Sequence, residues 1–148
     1  MPDSAIGPVS AAIFARLNVA SLKAAVPTGA GCLGGVTDNP PQTPVWPFLW
    51  YELSESDLSG LGDGPATSEL QLRLHVFSQY QGAVEEQRIM REAIRLLKFT
   101  EPTVVGYQVP KINRPHDPGI QLPFEELNGV KCREFVSIWT VFADEVVP

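Results

Sequence analysis

The sequence predicts an α+β fold: an antiparallel sheet of four to five strands with two helices packed on one face. Three observations predict it. Leu70, Leu72, Leu74 and Val76 alternate with Gln71, Arg73 and His75, as a pleated strand with one buried face requires. Residues 82–98 carry Met90, Ala93, Ile94 and Leu97 at i, i+3, i+4, i+7 spacing, an apolar stripe wide enough to cover a sheet face. Asn128-Gly129 is the strongest hairpin signal in the chain and leads into a final apolar stretch.

At 148 residues the chain is expected to form a single domain that buries a core without metal or disulfide staples. A hydrophobic fraction of 44% and a charged fraction of 19% argue against disorder. The 14 prolines and 12 glycines cluster between the periodic segments and mark loops, expected to be mobile near 37–47, 54–68 and 110–119. Net charge is −6 with no run of Lys and Arg, which argues against a dedicated nucleic-acid surface. Cys32 and Cys132 stand too far apart for a zinc motif or a secreted disulfide framework and read as two reduced thiols. No apolar run approaches the roughly 20 residues that span a membrane, and Asp3 precedes any base where a secretion signal would be positive. These features predict a soluble chain made in a cytoplasm.

In order, residues 4–25 are helical in pattern through Ile6, Val9, Ile13, Phe14 and Leu17, with Ser4 a candidate cap. Asn18 is placed to break the element, and Pro27 and Gly29 to end it. Residues 28–47 form a loop with one short strand expected at 31–36. Pro40, Pro41, Pro44 and Pro47 exclude a central strand there, because proline has no N–H for the ladder. Residues 48–53 read as a strand apolar on both faces, Phe48 and Trp50 against Leu49, Tyr51 and Leu53, so its second face must also be covered. Residues 54–69 are acidic and glycine-rich. Leu58 and Leu61 interrupt the alternate oxygen ligands that a calcium loop needs, leaving a solvated or contact loop. The helix over 82–98 has Glu85 and Glu86 in its first turn and Arg95 and Lys98 in its last, complementing the helix dipole. Residues 103–109 read as a strand, 110–119 as a second proline-rich loop, and 120–127 as a short strand. The last strand, 130–146, sets Arg133, Phe135, Ser137, Trp139 and Val141 on one side and Glu134, Val136, Ile138, Thr140 and Phe142 on the other. Neither side is polar throughout, as befits a central strand or one extending into a partner.

The sequence offers no catalytic constellation: no GxSxG elbow, HExxH motif or P-loop. His75 falls on the expected exposed side of its strand and His116 in a proline-rich loop. Neither has a nucleophile brought to it, so no enzyme, cofactor or metal is expected. The aromatic residues Trp46, Phe48, Trp50, Tyr51, Phe135 and Trp139 read first as core, and second as part of a subunit interface, where Trp and Tyr are enriched.

The order of elements, with "PFLWYELSESDLSG", then "ELQLRLHVFSQYQG", then "AVEEQRIMREAIRLL", resembles the tail terminator or tail-completion family of tailed bacteriophages and gene-transfer particles. The resemblance is densest over 47–97. It implies a virion subunit at the head–tail junction that forms a homohexameric ring. The ring caps the tail tube, ends its polymerisation and joins it to the head connector. The implied partners are further copies of itself, the tail-tube protein and connector proteins, with DNA only as passing cargo and no membrane. The expected contacts are Trp46, Phe48, Trp50 and Tyr51, the acidic Glu55, Asp57 and Asp63, and the strand face of Arg133, Phe135 and Trp139. Alternatives are another neck component, such as a head-completion or adaptor protein, and a small-molecule-binding α+β domain, which would need converging polar groups that the sequence does not show.

Overall fold

The computed structural model describes residues 5–39, 41–57, 67–79, 84–122, 125–127 and 129–146. Its helices are α1 (Ile6–Leu17), α2 (Ala20–Lys23) and α3 (Val84–Leu97). Its strands are β1 (Val36–Thr37), β2 (Phe48–Asp57), β3 (Thr67–Ser78), β4 (Thr103–Val104), β5 (Tyr107–Gln108), β6 (Asp117–Gln121), β7 (Glu125–Leu127) and β8 (Val130–Glu145).

The expected antiparallel sheet of four to five strands under two helices is not what forms. Seven strands make one mixed sheet that curls into a half-barrel. The order is β1-β2-β3-β8-β5-β4, with β6 also pairing β8, and β7 makes a separate ladder with the start of β8. The sheet is mixed because β1 runs parallel to β2. The short strand expected at 31–36 is only β1, Val36–Thr37, and β1, β4 and β5 are two residues each, too short for a period of two to set their bounds or their partners. Residues 103–109 are a small hairpin turning at Val105-Gly106 rather than one strand, and 120–127 is divided between β6 and β7.

The central ladder is β2-β3-β8. β3 pairs β2 from Phe48↔Phe77 to Asp57↔Ser68, and β8 from Thr67↔Asp144 to Ser78↔Arg133. Leu49 and Tyr51 of β2, Leu70, Leu72, Leu74 and Val76 of β3, and Trp139, Val141 and Ala143 of β8 share one face. That face meets Val9, Ile13 and Leu17 of α1 and Ile89, Met90, Ala93, Leu96 and Leu97 of α3 in the main core. The α1 break at Asn18 is where the sequence places it; Ser4 lies outside the described residues, and Ala5 at the helix start makes no side-chain cap bond. Arg16 Nε donates to the Leu96 carbonyl at 2.6 Å and locks α1 to the end of α3.

Burial along β8 changes phase. Cys132, Glu134 and Val136 are buried on one face, then Ser137, Trp139, Val141 and Ala143 on the other. β3 does the same: its inner face is buried throughout, and from His75 onward its outer face is buried too. One end of the sheet is therefore covered on both sides. The second cover is a small cluster of Phe48, Phe77 and Cys132, with Trp46 and Trp50 packed against it. This explains why neither side of the last strand is polar throughout.

Candidate functional site

The doubly covered end of the sheet holds a file of rings. Register sets Phe48 opposite Phe77 and Trp50 opposite His75. Phe48 stacks on Phe77 with centroids 5.0 Å apart, Trp46 tilts against Phe48 at 5.2 Å, and Trp50 stacks on His75 at 4.4 Å. Trp50 is held from the other side by its Nε1, which donates to the Asp38 carbonyl at 3.2 Å.

His75 is buried, 8% exposed, where the sequence pattern placed it on a wet face. Its Nδ1 lies 2.5 Å from Glu134 Oε1 and its Nε2 lies 3.0 Å from Glu52 Oε1. Both ring nitrogens can donate to carboxylates together only in the imidazolium. Burial pulls the His75 pKa down, but the hydrogen bonds and charges of Glu134 and Glu52 together outweigh it and hold it above its ordinary value. The pair of bonds ties β2, β3 and β8 across the outer face. The two carboxylates meet opposite nitrogens of one ring, so their lone pairs do not converge on a common point. Among the described residues no group of three His, Cys, Asp or Glu is placed to hold a metal.

The outer edge of β2 is the second feature. β1 covers it only at Leu49 and Trp50. Beyond Trp50 the edge has no strand neighbour among the described residues, and such an edge is a template for another chain. Glu52 and Glu55 lie along it; Ser68 Oγ donates to Glu55 Oε1 at 2.6 Å. β2 runs on to Asp57, so the expected loop at 54–68 begins four residues later than its sequence implied.

A groove of about 490 Å³ runs along α3. Met90, Ile94 and Phe135 line it, with Arg91, Arg95 and Lys98 on its helix side. Arg95 is paired with Glu92 one turn away. Phe135 is packed under β6 so closely that a methyl group on Gly119 would stand 2.3 Å from its ring.

The expected contact residues are thus divided. Trp46, Trp50, Glu55, Arg133 and Phe135 are half-buried. Phe48, Tyr51 and Trp139 bury their side chains within the chain: Tyr51 exchanges a hydrogen bond with Ser10 Oγ at 3.1 Å, and Trp139 Nε1 donates to Ser137 Oγ at 2.8 Å. Asp57 ends β2, its side chain outside the described residues, and Asp63 lies wholly outside them. Cys32 and Cys132 are both buried, and burial pushes the Cys32 thiol up to about 12.

The model of the family described as Tail completion protein gp17 matches residues 11–118. The chain belongs to that family. The tail-completion family gives it a structural role in a virion. Among solved structures, a chain from the virion of a native gene transfer agent particle has the same fold, with a TM-score of 0.67 at 12% identity over 97% of this chain and 99% of that one. A second solved chain gives a TM-score of 0.55 at 17% identity over 96% of each. No match was found among curated proteins. The match to the tail-completion family takes in the aromatic file, the β2 edge and α3, and stops before β8.

Sequence reasoning missed the role of His75. The signal was present: a β2 apolar on both faces must set Trp50 over whatever pairs with it. Reading that required the β2–β3 register, which the sequence between the two strands does not disclose.

Proposed function

We propose that the chain forms a closed ring of six copies that caps the tail tube, stops its polymerisation and docks onto the head connector at the head–tail junction. The observation that carries this reading is the family match over residues 11–118. The β2 edge supports it. A ring requires two different patches that meet head to tail, and a strand edge with no strand neighbour among the described residues is one such patch. No bond is made or broken in this work; it is done by shape and symmetry. Contacts fall on the accessible members of the expected set, Trp46, Trp50, Glu55, Arg133 and Phe135, together with Asp57 and Asp63. Phe48, Tyr51 and Trp139 hold the strands that present them. DNA passes through the ring as cargo.

The test is to mix purified protein separately with tail-tube protein and with connector protein, and to image both by electron microscopy. Rings seated on tube ends are the expected result. Binding to connector alone would move the chain to another neck role, and a monomer that binds neither would sink the reading.

A further inference from the structure

Phe99 stands two residues past the end of α3 with φ at +59°, and among the described residues no other non-glycine residue is left-handed. Helices commonly end on a residue in this conformation, and glycine is its usual occupant because a bulky side chain there is strained. Main-chain bonds hold the strain: the Phe99 N–H donates to the Ile112 carbonyl at 2.5 Å, and the Ile112 N–H to the Thr100 carbonyl at 2.8 Å. The ring gains little burial in return, being 46% exposed. Two cations attend it, the Arg114 guanidinium carbon 5.5 Å from its centroid and Lys98 Nζ at 6.0 Å. Neither forms an ion pair among the described residues. A strained, exposed aromatic beside two cations has the make-up of an interface anchor.

The other end of α3 borders a cleft of about 420 Å³. Val26, Leu33, Trp46 and Pro47 wall it, with Leu33 57% exposed. Glu85, in the first turn of α3, is the one charged side chain among its described lining residues. It accepts a bond from Ser78 Oγ at 2.6 Å and forms no ion pair among the described residues. Arg88 stands against Gly31 and gives its Nε to the Ala30 carbonyl at 2.9 Å. The cleft is thus apolar with an acidic edge.

We propose that this cleft receives Phe99 of a second copy, with Lys98 and Arg114 of that copy set against Glu85. The inference rests on the ring reading above and names one contact within it. The ring of Phe99 supplies apolar surface for Leu33 and Trp46, and its cations supply the charge that Glu85 lacks. Complementarity of this kind fixes register and rejects wrong partners. Within one copy the two patches cannot meet. They lie at opposite ends of α3, whose 14 residues hold them about 21 Å apart. Between copies they meet head to tail, the heterologous contact from which rings close.

The test separates this contact from folding. Phe99→Gly removes the anchor and places in the left-handed position the residue that accepts it, so its thermal melt by circular dichroism is expected to be no lower than the wild type's. Leu33→Asp alters an exposed cleft wall. By sedimentation, each variant alone is expected to self-associate at least about tenfold more weakly. An equimolar mixture is expected to form pairs and nothing larger, because only one intact anchor and one intact cleft remain to meet. If Phe99→Gly unfolds the chain, Phe99→Asn, which also tolerates this conformation, takes its place. Rings that survive both substitutions overturn this contact and leave the ring reading standing. Loss with the Phe99 variant but not with Leu33→Asp sends the anchor elsewhere and overturns the proposal. So does persistent self-association with tail-tube binding lost. A wild type that is monomeric in isolation and on tubes overturns both the contact and the ring.

Discussion

His75 and Glu134 join β3 to β8 through a buried hydrogen bond of 2.5 Å on the outer face of the sheet. With Glu52 on the opposite ring nitrogen at 3.0 Å, the imidazolium is the rivet of three strands. Its position beneath Trp50 makes the candidate docking face depend on a titrating group.

That dependence has a sign. The His75 pKa is raised in the folded chain above an unfolded value of about 6.5. Its stabilisation is thus fully present below about pH 6.5 and is lost as pH rises through the folded value. His75→Gln is expected to cost about 1–3 kcal/mol at pH 6 and progressively less at higher pH. Denaturant melts of both proteins across pH 5.5–9 check it; a pH-independent difference would count against the rivet.

Trp139 is fully buried at the centre of β8, opposite Leu72, with its Nε1 bonded to Ser137. Trp139→Ala should cost about 3–5 kcal/mol, and its refolded fraction should bind no tube because the strand face beyond it is lost. Thermal melts with a tube co-sedimentation assay measure both.

Gly34 admits no side chain. An added Cβ would lie 1.9 Å from the Val45 carbonyl oxygen, and the Gly34 N–H donates to Pro47 at 2.7 Å. Gly34→Ala must push the proline-bearing segment off the start of β2, at a cost of about 1–3 kcal/mol. Tryptophan fluorescence should report the displacement of Trp46 alongside the loss of stability.

Gly119→Ala has a more local consequence. The new methyl would meet the Phe135 ring at 2.3 Å, and Phe135 lines the α3 groove. Stability is expected to fall by about 1–2 kcal/mol while self-association weakens further than a remote substitution of equal cost would explain. Sedimentation of Gly119→Ala beside Ile13→Val, a truncation in the main core on α1 of similar expected cost, separates the two effects.

The parts of this molecule that were legible in the sequence are those that repeat a period. Alternation over Leu70–Val76 specified β3, the Met90–Leu97 stripe specified α3, and Asn128-Gly129 located the start of β8; all three lie in the structure where the sequence sets them. The half-barrel was not legible. Its short strands, β1, β4 and β5, have two residues each, and their bounds and places in the sheet are set by the partners that β2, β5 and β8 offer them, so tertiary pairing and not local pattern arranges them. The same holds for the candidate site. Trp50 and His75 are 25 positions apart, and their stacking follows from a register that no local pattern encodes. The family itself was legible, because the β2 segment, β3 and α3 carry its motifs contiguously.

The central claim is that this chain ends tail-tube growth as a ring. The most direct measurement is the length distribution of tubes polymerised with and without the purified protein, scored by electron microscopy with the ends imaged. The account predicts tubes that stop growing on addition, each bearing a ring at one end. Tubes of unchanged length with bare ends would contradict it.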